Sequence, residues 1–159
     1  MAKTDEARPS SGRDRERQVR RIFSEIAPRY DLLNRVLSLG VDRRWRRRAV
    51  DRLRWESVSQ GIFLDACAGT FDLSLELHSR PEFRGHVVAS DFARPMLVRG
   101  AGKICGTAIY PICGDTLNLP FPDATFDGAM VAFGVRNLSD LGGGLRELTR
   151  VLRHGGRLV

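Results

Sequence analysis

Three aspartates stand where a short apolar run gives way to small or turn-forming residues. Asp65 follows Ile62-Phe63-Leu64, Asp91 follows Val87-Val88-Ala89-Ser90, and Asp115 follows Ile112-Cys113-Gly114. A carboxylate accepts hydrogen bonds from sugar hydroxyls or an exocyclic amine, and it attracts a cationic centre. Asp91 comes 26 residues after Asp65, near the ~20 at which an acid meets the ribose of a nucleotide-type ligand. There it would repel a 2′-phosphate. Gly69-Thr70 follow the first acid and Leu73, Leu75 and Leu77 open a helical pattern, so backbone N–H groups and a helix dipole point to the same place. Negative charge at that place favours a sulfonium, such as that of S-adenosylmethionine, over a pyrophosphate. Singly, each acid reads equally well as a helix N-cap; three at successive run ends form the stronger pattern. A dinucleotide-type turn wants three glycines, and Cys67 and Phe71 stand where two of them are expected.

Those acids need a scaffold that lines up strand ends. From residue 61 the chain alternates short apolar runs with helical patterns. Strands are expected at Ile62–Asp65, His86–Asp91, Ala108–Cys113 and Phe126–Phe133. Helices are expected up to about Ser79, around Pro95–Ala101 and around Asp140–Leu152, with Gly155-Gly156 as the last helix stop. Arg157-Leu158-Val159 looks like the opening of a fifth strand. Repeated βα units predict a doubly wound, mostly parallel sheet that binds its ligand beyond the carboxyl ends of the strands.

Ahead of it, 1–17 is charged and lacks apolar periodicity, the signature of a disordered basic tail. Residues 18–60 read as a helical cap. One helix carries Val19, Ile22, Phe23 and Ile26, and a second carries Leu33, Val36 and Leu37 before Gly40. A third runs from Asp42, as N-cap, to about Arg54, with Trp45, Ala49 and Leu53 as its apolar stripe. Residues 61–159 form the cofactor-binding domain, whose sheet breaks off after three residues of strand, so the chain is expected to be incomplete at its C-terminal side.

Charge follows the same division. Residues 1–60 hold 16 Lys/Arg against 9 Asp/Glu, whereas residues 61–159 hold 10 against 10. The surplus therefore marks a separate surface, open to three readings: an anionic membrane surface, a solvated face, or nucleic acid. With no recognition motif, no nucleic-acid partner is expected. Cys67, Cys105 and Cys113 form no metal spacing and read as reduced thiols of a cytoplasmic protein, and no metal is expected.

Longer motifs now carry a resemblance. Tyr30, Asp31, Asn34, Leu37, Ser38 and Trp45 keep the spacing of a signature of the ubiquinone/menaquinone C-methyltransferase family (UbiE/MenG type), with Leu33 for its Met and Asp42 for its His. Asp115-Thr116-Leu117-Asn118-Leu119-Pro120-Phe121, Phe133-Gly134-Val135-Arg136-Asn137 and Arg150-Val151-Leu152-Arg153-His154-Gly155-Gly156 resemble three further elements, in the family's order. The resemblance covers about residues 19–159. It implies a Rossmann-like class I methyltransferase that carries the methyl of S-adenosylmethionine to a ring carbon of a prenylated quinol.

In that reading Asp65, Gly69 and Thr70 line the cofactor's first loop, Asp91 its ribose, and Asp115 with Thr116 its adenine. Arg136 faces a developing phenolate, Asn137 orients it, and Tyr30, Asp31 and Asn34 cover the acceptor. The bland alternative makes Arg136 a surface cation and Tyr30 a packing aromatic. Peripheral contact with the inner membrane face and a homo-oligomer belong to the same expectation. Two rivals stand beside it: a methyltransferase for another small acceptor, and a truncated remnant without turnover.

Overall fold

The computed structural model describes residues 41–159 and is built on a five-stranded, all-parallel sheet. The strands are β1 (Ile62–Ala66), β2 (His86–Asp91), β3 (Ile109–Cys113), β4 (Phe126–Val131) and β5 (Leu152–Leu158). Their order across the sheet is β3-β2-β1-β4-β5. The chain steps outward from β1 to β3 and then crosses back to lay β4 on the other side of β1. The switch point, where ligands seat in such sheets, lies between β1 and β4. This is the expected doubly wound sheet. The expected tail over 1–17, the two helices around 19–26 and 33–37, and Tyr30, Asp31 and Asn34 lie outside the described residues.

Among the described residues four α-helices cover the sheet: α1 (Val41–Leu53), α2 (Asp72–His78), α3 (Arg94–Gly100) and α4 (Leu141–Arg150). Alternation along β1 explains two cores. Phe63 points into a cluster with Val50, Leu53, Phe71, Leu77 and Val87, while Leu64, one residue on, joins Ala66, Phe126, Ala129, Leu148 and Val151 on the opposite face. Each large side chain sealed this way contributes roughly 1.5–3 kcal/mol. A parallel strand covered on both faces has no polar side to show, which is why β1 reads as an unbroken apolar run up to Asp65.

Three expectations are corrected. Asp42 does not cap α1: it is buried in the first turn and pairs with Arg46 one turn on, at 2.7 Å. The helix is accordingly rotated from the expected stripe. Val50 and Leu53 are buried, Ala49 packs partly against them, and Trp45 is half exposed. Gly155 and Gly156 do not stop a helix. α4 ends at Arg150, Val151 caps it, and both glycines lie within β5. There the pairing jumps from Phe126↔Leu152 to Gly128↔Arg157, a bulge that needs Gly155 at φ +81°. Finally, β4 stops at Val131 and the chain turns into a 3-10 helix, Phe133–Asn137.

Arg43, Arg44, Arg47, Arg48 and Arg52 are exposed on α1, so the part of the basic surplus that falls on the described residues lies on the surface of that helix. Among the described residues no helix is long and apolar enough to cross a membrane.

Candidate functional site

Asp91 ends β2, and its carboxylate closes the turn after β1. One oxygen accepts from the Gly69 N–H at 2.8 Å and the other from the Ala93 N–H at 2.7 Å. The Ala68 N–H adds a bond to the Ser90 carbonyl at 3.0 Å. Gly69 sits at φ +56°, a conformation that costs any side chain strain. The turn is thereby stapled to the neighbouring strand end. Burial pushes the Asp91 carboxyl above its ordinary range, and the two backbone N–H bonds pull it back.

The backbone also explains the missing glycines. Cys67, Gly69 and Phe71 all adopt left-handed conformations, at φ +55°, +56° and +70°. The geometry of a three-glycine turn is present with glycine at only one of its three positions. Phe71 is accommodated because its ring is buried in the core beneath α3, where Gly100 makes room: a Cβ on Gly100 would lie 2.6 Å from the ring. The ring therefore points away from the turn.

Cys67 is accommodated differently. Its side chain lies against Gly134, whose missing Cβ would fall 2.2 Å from the Cys67 Cβ. Cys67 and Gly134 together form a tight floor at the switch point, and Thr116 Oγ1 lies 3.5 Å from the Cys67 sulfur. Burial above all pushes the thiol up to about 11, so it stands as a neutral group.

Asp65 faces elsewhere. It is 1% exposed, and one of its oxygens accepts both the Ser74 N–H at 3.0 Å and the Ser74 hydroxyl at 2.6 Å. It anchors the first turn of α2, where a carboxylate is favoured by the helix dipole. Desolvation nevertheless raises it to about 7, against the pull of the Ser74 bonds and with smaller repulsions from Asp91 and Asp72. A group raised from 3.8 to about 7 holds its proton in the folded chain across that window while the unfolded chain has lost it. Its contribution to stability is complete below about pH 4 and is lost as the pH rises through about 7, on the order of 4 kcal/mol in all. Asp65→Asn keeps an acceptor for Ser74 and removes the titration. Urea unfolding between pH 4.5 and 8 is expected to show a visibly flatter stability profile for the variant; an unchanged slope would remove Asp65 as its source.

Thr70 is buried beside the turn, and its hydroxyl accepts from Lys103 at 3.2 Å. Lys103 also meets Asp72 at 3.1 Å, and Arg46 of α1 meets the same carboxylate at 3.1 Å. Lys103 and Arg46 thus converge on Asp72. Asp115 is exposed after β3 and accepts from the Leu117 N–H at 2.9 Å, which folds the chain back and buries Thr116.

On the β4 side, Arg136 is exposed and its guanidinium lies 5.8 Å from the Phe133 ring centre. Phe133 in turn stands 6.0 Å from Trp45 of α1. Asn137, half-buried, closes the same 3-10 helix.

Gly69 and Asp91 are therefore in direct contact, and Thr116 meets the floor through Cys67. Asp65 and Thr70 face supporting elements, and Arg136 sits in an aromatic–cation cluster. Sequence reasoning passed over Cys67, Gly134, Phe133 and Trp45 as site residues. The signal was there for the first pair: a residue in a glycine slot requires a gap opposite, and Gly134 lies in one of the motifs. Among the described residues no group of three His, Cys, Asp or Glu is placed to hold a metal ion.

The model of the ubiE/COQ5 methyltransferase family matches residues 11–159. The demethylmenaquinone methyltransferase of Thermus thermophilus is 52% identical over 140 residues, covering 87% of this chain and 62% of the relative. The ubiquinone/menaquinone biosynthesis C-methyltransferase UbiE of Geobacter sulfurreducens is 45% identical over 149 residues, covering 89% of this chain and 56% of the relative. The chain thus spans about three fifths of the length of these relatives. A Methanococcus maripaludis structure, provisionally assigned as an S-adenosyl-L-methionine-dependent methyltransferase, superposes with a TM-score of 0.67 at 19% identity. It covers 99% of this chain and 66% of that one, and the likeness is one of fold.

Proposed function

The chain belongs to the ubiE/COQ5 methyltransferase family, and on that premise we propose that it serves S-adenosylmethionine-dependent C-methylation of a prenylated quinol in menaquinone or ubiquinone biosynthesis. The observation that carries the reading is the Asp91 carboxylate held against the Gly69 N–H beside the Cys67–Gly134 floor. The residues there suit the cofactor. Asp91 keeps lone pairs for ribose hydroxyls, and Asp115 and Thr116 stand on the adenine side. The neighbouring Lys103 and Arg46 are turned to Asp72.

When bound, the cofactor supplies an electrophilic methyl on a sulfonium. The chain's own work is to orient and to stabilise charge. Gly69 and Asp91 fix the ribose, with Asp65 and Thr70 acting through α2 and Lys103 to hold the loop. Alignment of the acceptor carbon with the methyl–sulfur bond contributes on the order of 7–11 kcal/mol to lowering the barrier. Arg136 faces the phenolate oxygen that makes the ring carbon electron-rich, Asn137 orients it, and Tyr30, Asp31 and Asn34 cover the ring. Residues 61–159 act as the cofactor domain and 18–60 as its cap. A prenylated acceptor resides in a bilayer, and Arg44, Arg48 and Arg52 form an exposed row on α1 beside half-exposed Trp45, a surface suited to anionic lipid.

One assay tests this: demethylated quinol in anionic vesicles, S-adenosylmethionine in solution, methylated quinol as readout. Arg136→Ala is expected to lower turnover about 10²-fold while cofactor affinity stays within about twofold, as loss of a group that acts in the transition state requires. Charge reversal at Arg44, Arg48 and Arg52 together is expected to slow turnover of vesicle-borne acceptor and to spare a short-tailed soluble one. Absence of product from the wild-type chain with every quinol nucleus would end the proposal.

A further inference from the structure

Arg150 ends α4, and each of its five N–H groups has a partner. Nε meets Glu147 Oε2 at 2.8 Å and Nη2 meets Glu147 Oε1 at 2.6 Å, a two-pronged carboxylate pair. The remaining three go to the segment after β3: the Leu119 carbonyl at 3.2 Å, the Phe121 carbonyl at 2.9 Å and Asp123 Oδ1 at 2.7 Å. Glu147 Oε1 also accepts the Leu119 N–H at 2.9 Å. Leu119 is therefore held at both backbone polar groups by two side chains of one helix. Three residues upstream is buried Thr116, and four upstream is Asp115, joined to Asn118 by a backbone bridge.

The other end of α4 reaches the acceptor side. A Cβ on Gly144 would lie 2.5 Å from Leu138 Cδ1 and 3.5 Å from Leu117 Cδ2, so the helix backbone is wedged between the residue after the Phe133–Asn137 turn and the Asp115 turn itself. One rigid helix thus touches both the segment assigned to adenine and the segment bearing Arg136. A guanidinium is built for this task, because its planar fork fixes direction as well as charge.

We propose that Glu147 and Arg150 are positioning residues: they clamp Leu119 and so set where Asp115 and Thr116 meet the cofactor's adenine. The proposal rests on the cofactor reading above. Neither residue touches the reacting atoms; their effect runs through the loop.

The test uses the 159-residue chain, with two readouts. Amide hydrogen exchange at 117–121 without ligand reports the clamp alone, and calorimetric titration with S-adenosylmethionine reports its consequence. Arg150→Ala is expected to speed exchange there at least tenfold and to weaken affinity about tenfold, the scale of one net hydrogen bond. Glu147→Gln, which keeps a carbonyl for the Leu119 N–H, should fall between, and it serves if Arg150→Ala folds poorly. Arg150→Lys keeps the charge without the fork and should stay near the alanine variant. Arg153→Ala breaks a comparable pair with Asp127, at 2.6 Å, and should change neither readout.

Unchanged exchange in Arg150→Ala overturns the clamp. Faster exchange with unchanged affinity overturns the positioning role. If the wild-type chain binds no S-adenosylmethionine, the cofactor reading falls and takes the positioning role with it, while the exchange data still report whether Leu119 is clamped.

Discussion

Gly134→Ala is expected to destabilise the fold by roughly 3 kcal/mol and to abolish measurable S-adenosylmethionine binding, and Cys67→Gly is expected to restore both. The added methyl would stand 2.2 Å from the Cys67 Cβ, 2.9 Å from its sulfur and 3.6 Å from its Cα. A Cβ cannot swing aside as a side-chain tip can, and the backbone that carries it follows β1, which is paired on both sides in the middle of the sheet. Either the Phe133–Asn137 turn or the residue after β1 must move, and overpacking in so constrained a place costs about 1–3 kcal/mol or more. Cys67→Gly removes the obstructing atom and puts glycine at φ +55°, where it is at ease. Alone, that change should be nearly neutral: relief of the left-handed strain offsets the lost thiol contacts and the added freedom of the unfolded chain. The double variant should then show a coupling of about 2 kcal/mol or more in a denaturation cycle. Additive effects, or a double variant that folds well and still binds nothing, would dissociate the floor from the cofactor site.

That pair also shows where reading the sequence stops. The motif marks 67 and 71 as places where glycine is expected, and the residues that stand there instead adopt glycine-like backbone. What was not legible is how their side chains are housed, because the rooms are supplied by Gly134 and Gly100, remote in sequence and adjacent only through the sheet. β2 was legible to both ends, since an apolar run closed by an acid has few other meanings.

Asp65 and Asp91 close equivalent runs yet do different things. Asp65 is followed nine residues later by Ser74 in the first turn of its own helix, which claims it. Asp91 is claimed by two backbone N–H groups, one of them 22 residues upstream, a bond no local pattern announces. The rotation of α1 was hidden for another reason. Trp45 and Val50 are both apolar, and only the packing against Phe133 on one side and the core on the other decides which is sealed. Gly155-Gly156 carries the same signal for a helix stop as for a bulge, and the partner strand makes the choice.

Asp91→Ala is expected to weaken S-adenosylmethionine binding by 10² or more, and to do so out of proportion to the stability it costs. Two effects combine. The carboxylate supplies an acceptor to each of two backbone donors, Gly69 and Ala93, and losing it leaves both without that partner at a site only 7% exposed. Each orphaned donor costs about 1–3 kcal/mol unless water reaches it. The second effect is the ligand's: bonds from hydroxyls to a charged acceptor are worth about 1.5–3 kcal/mol each, and a ribose offers two hydroxyls. Asp91→Asn separates the two. Its amide has one oxygen and one NH2, so one backbone N–H keeps its acceptor while the other confronts a donor. Stability should therefore fall less than in the alanine variant, whereas binding should fall almost as far, because the charge and one acceptor are gone. Titration at constant pH beside urea unfolding gives both quantities. If Asp91→Asn bound S-adenosylmethionine like the wild type while unfolding more easily, the carboxylate would serve the β1 turn alone, and the donor's ribose would have to be sought elsewhere along the strand ends.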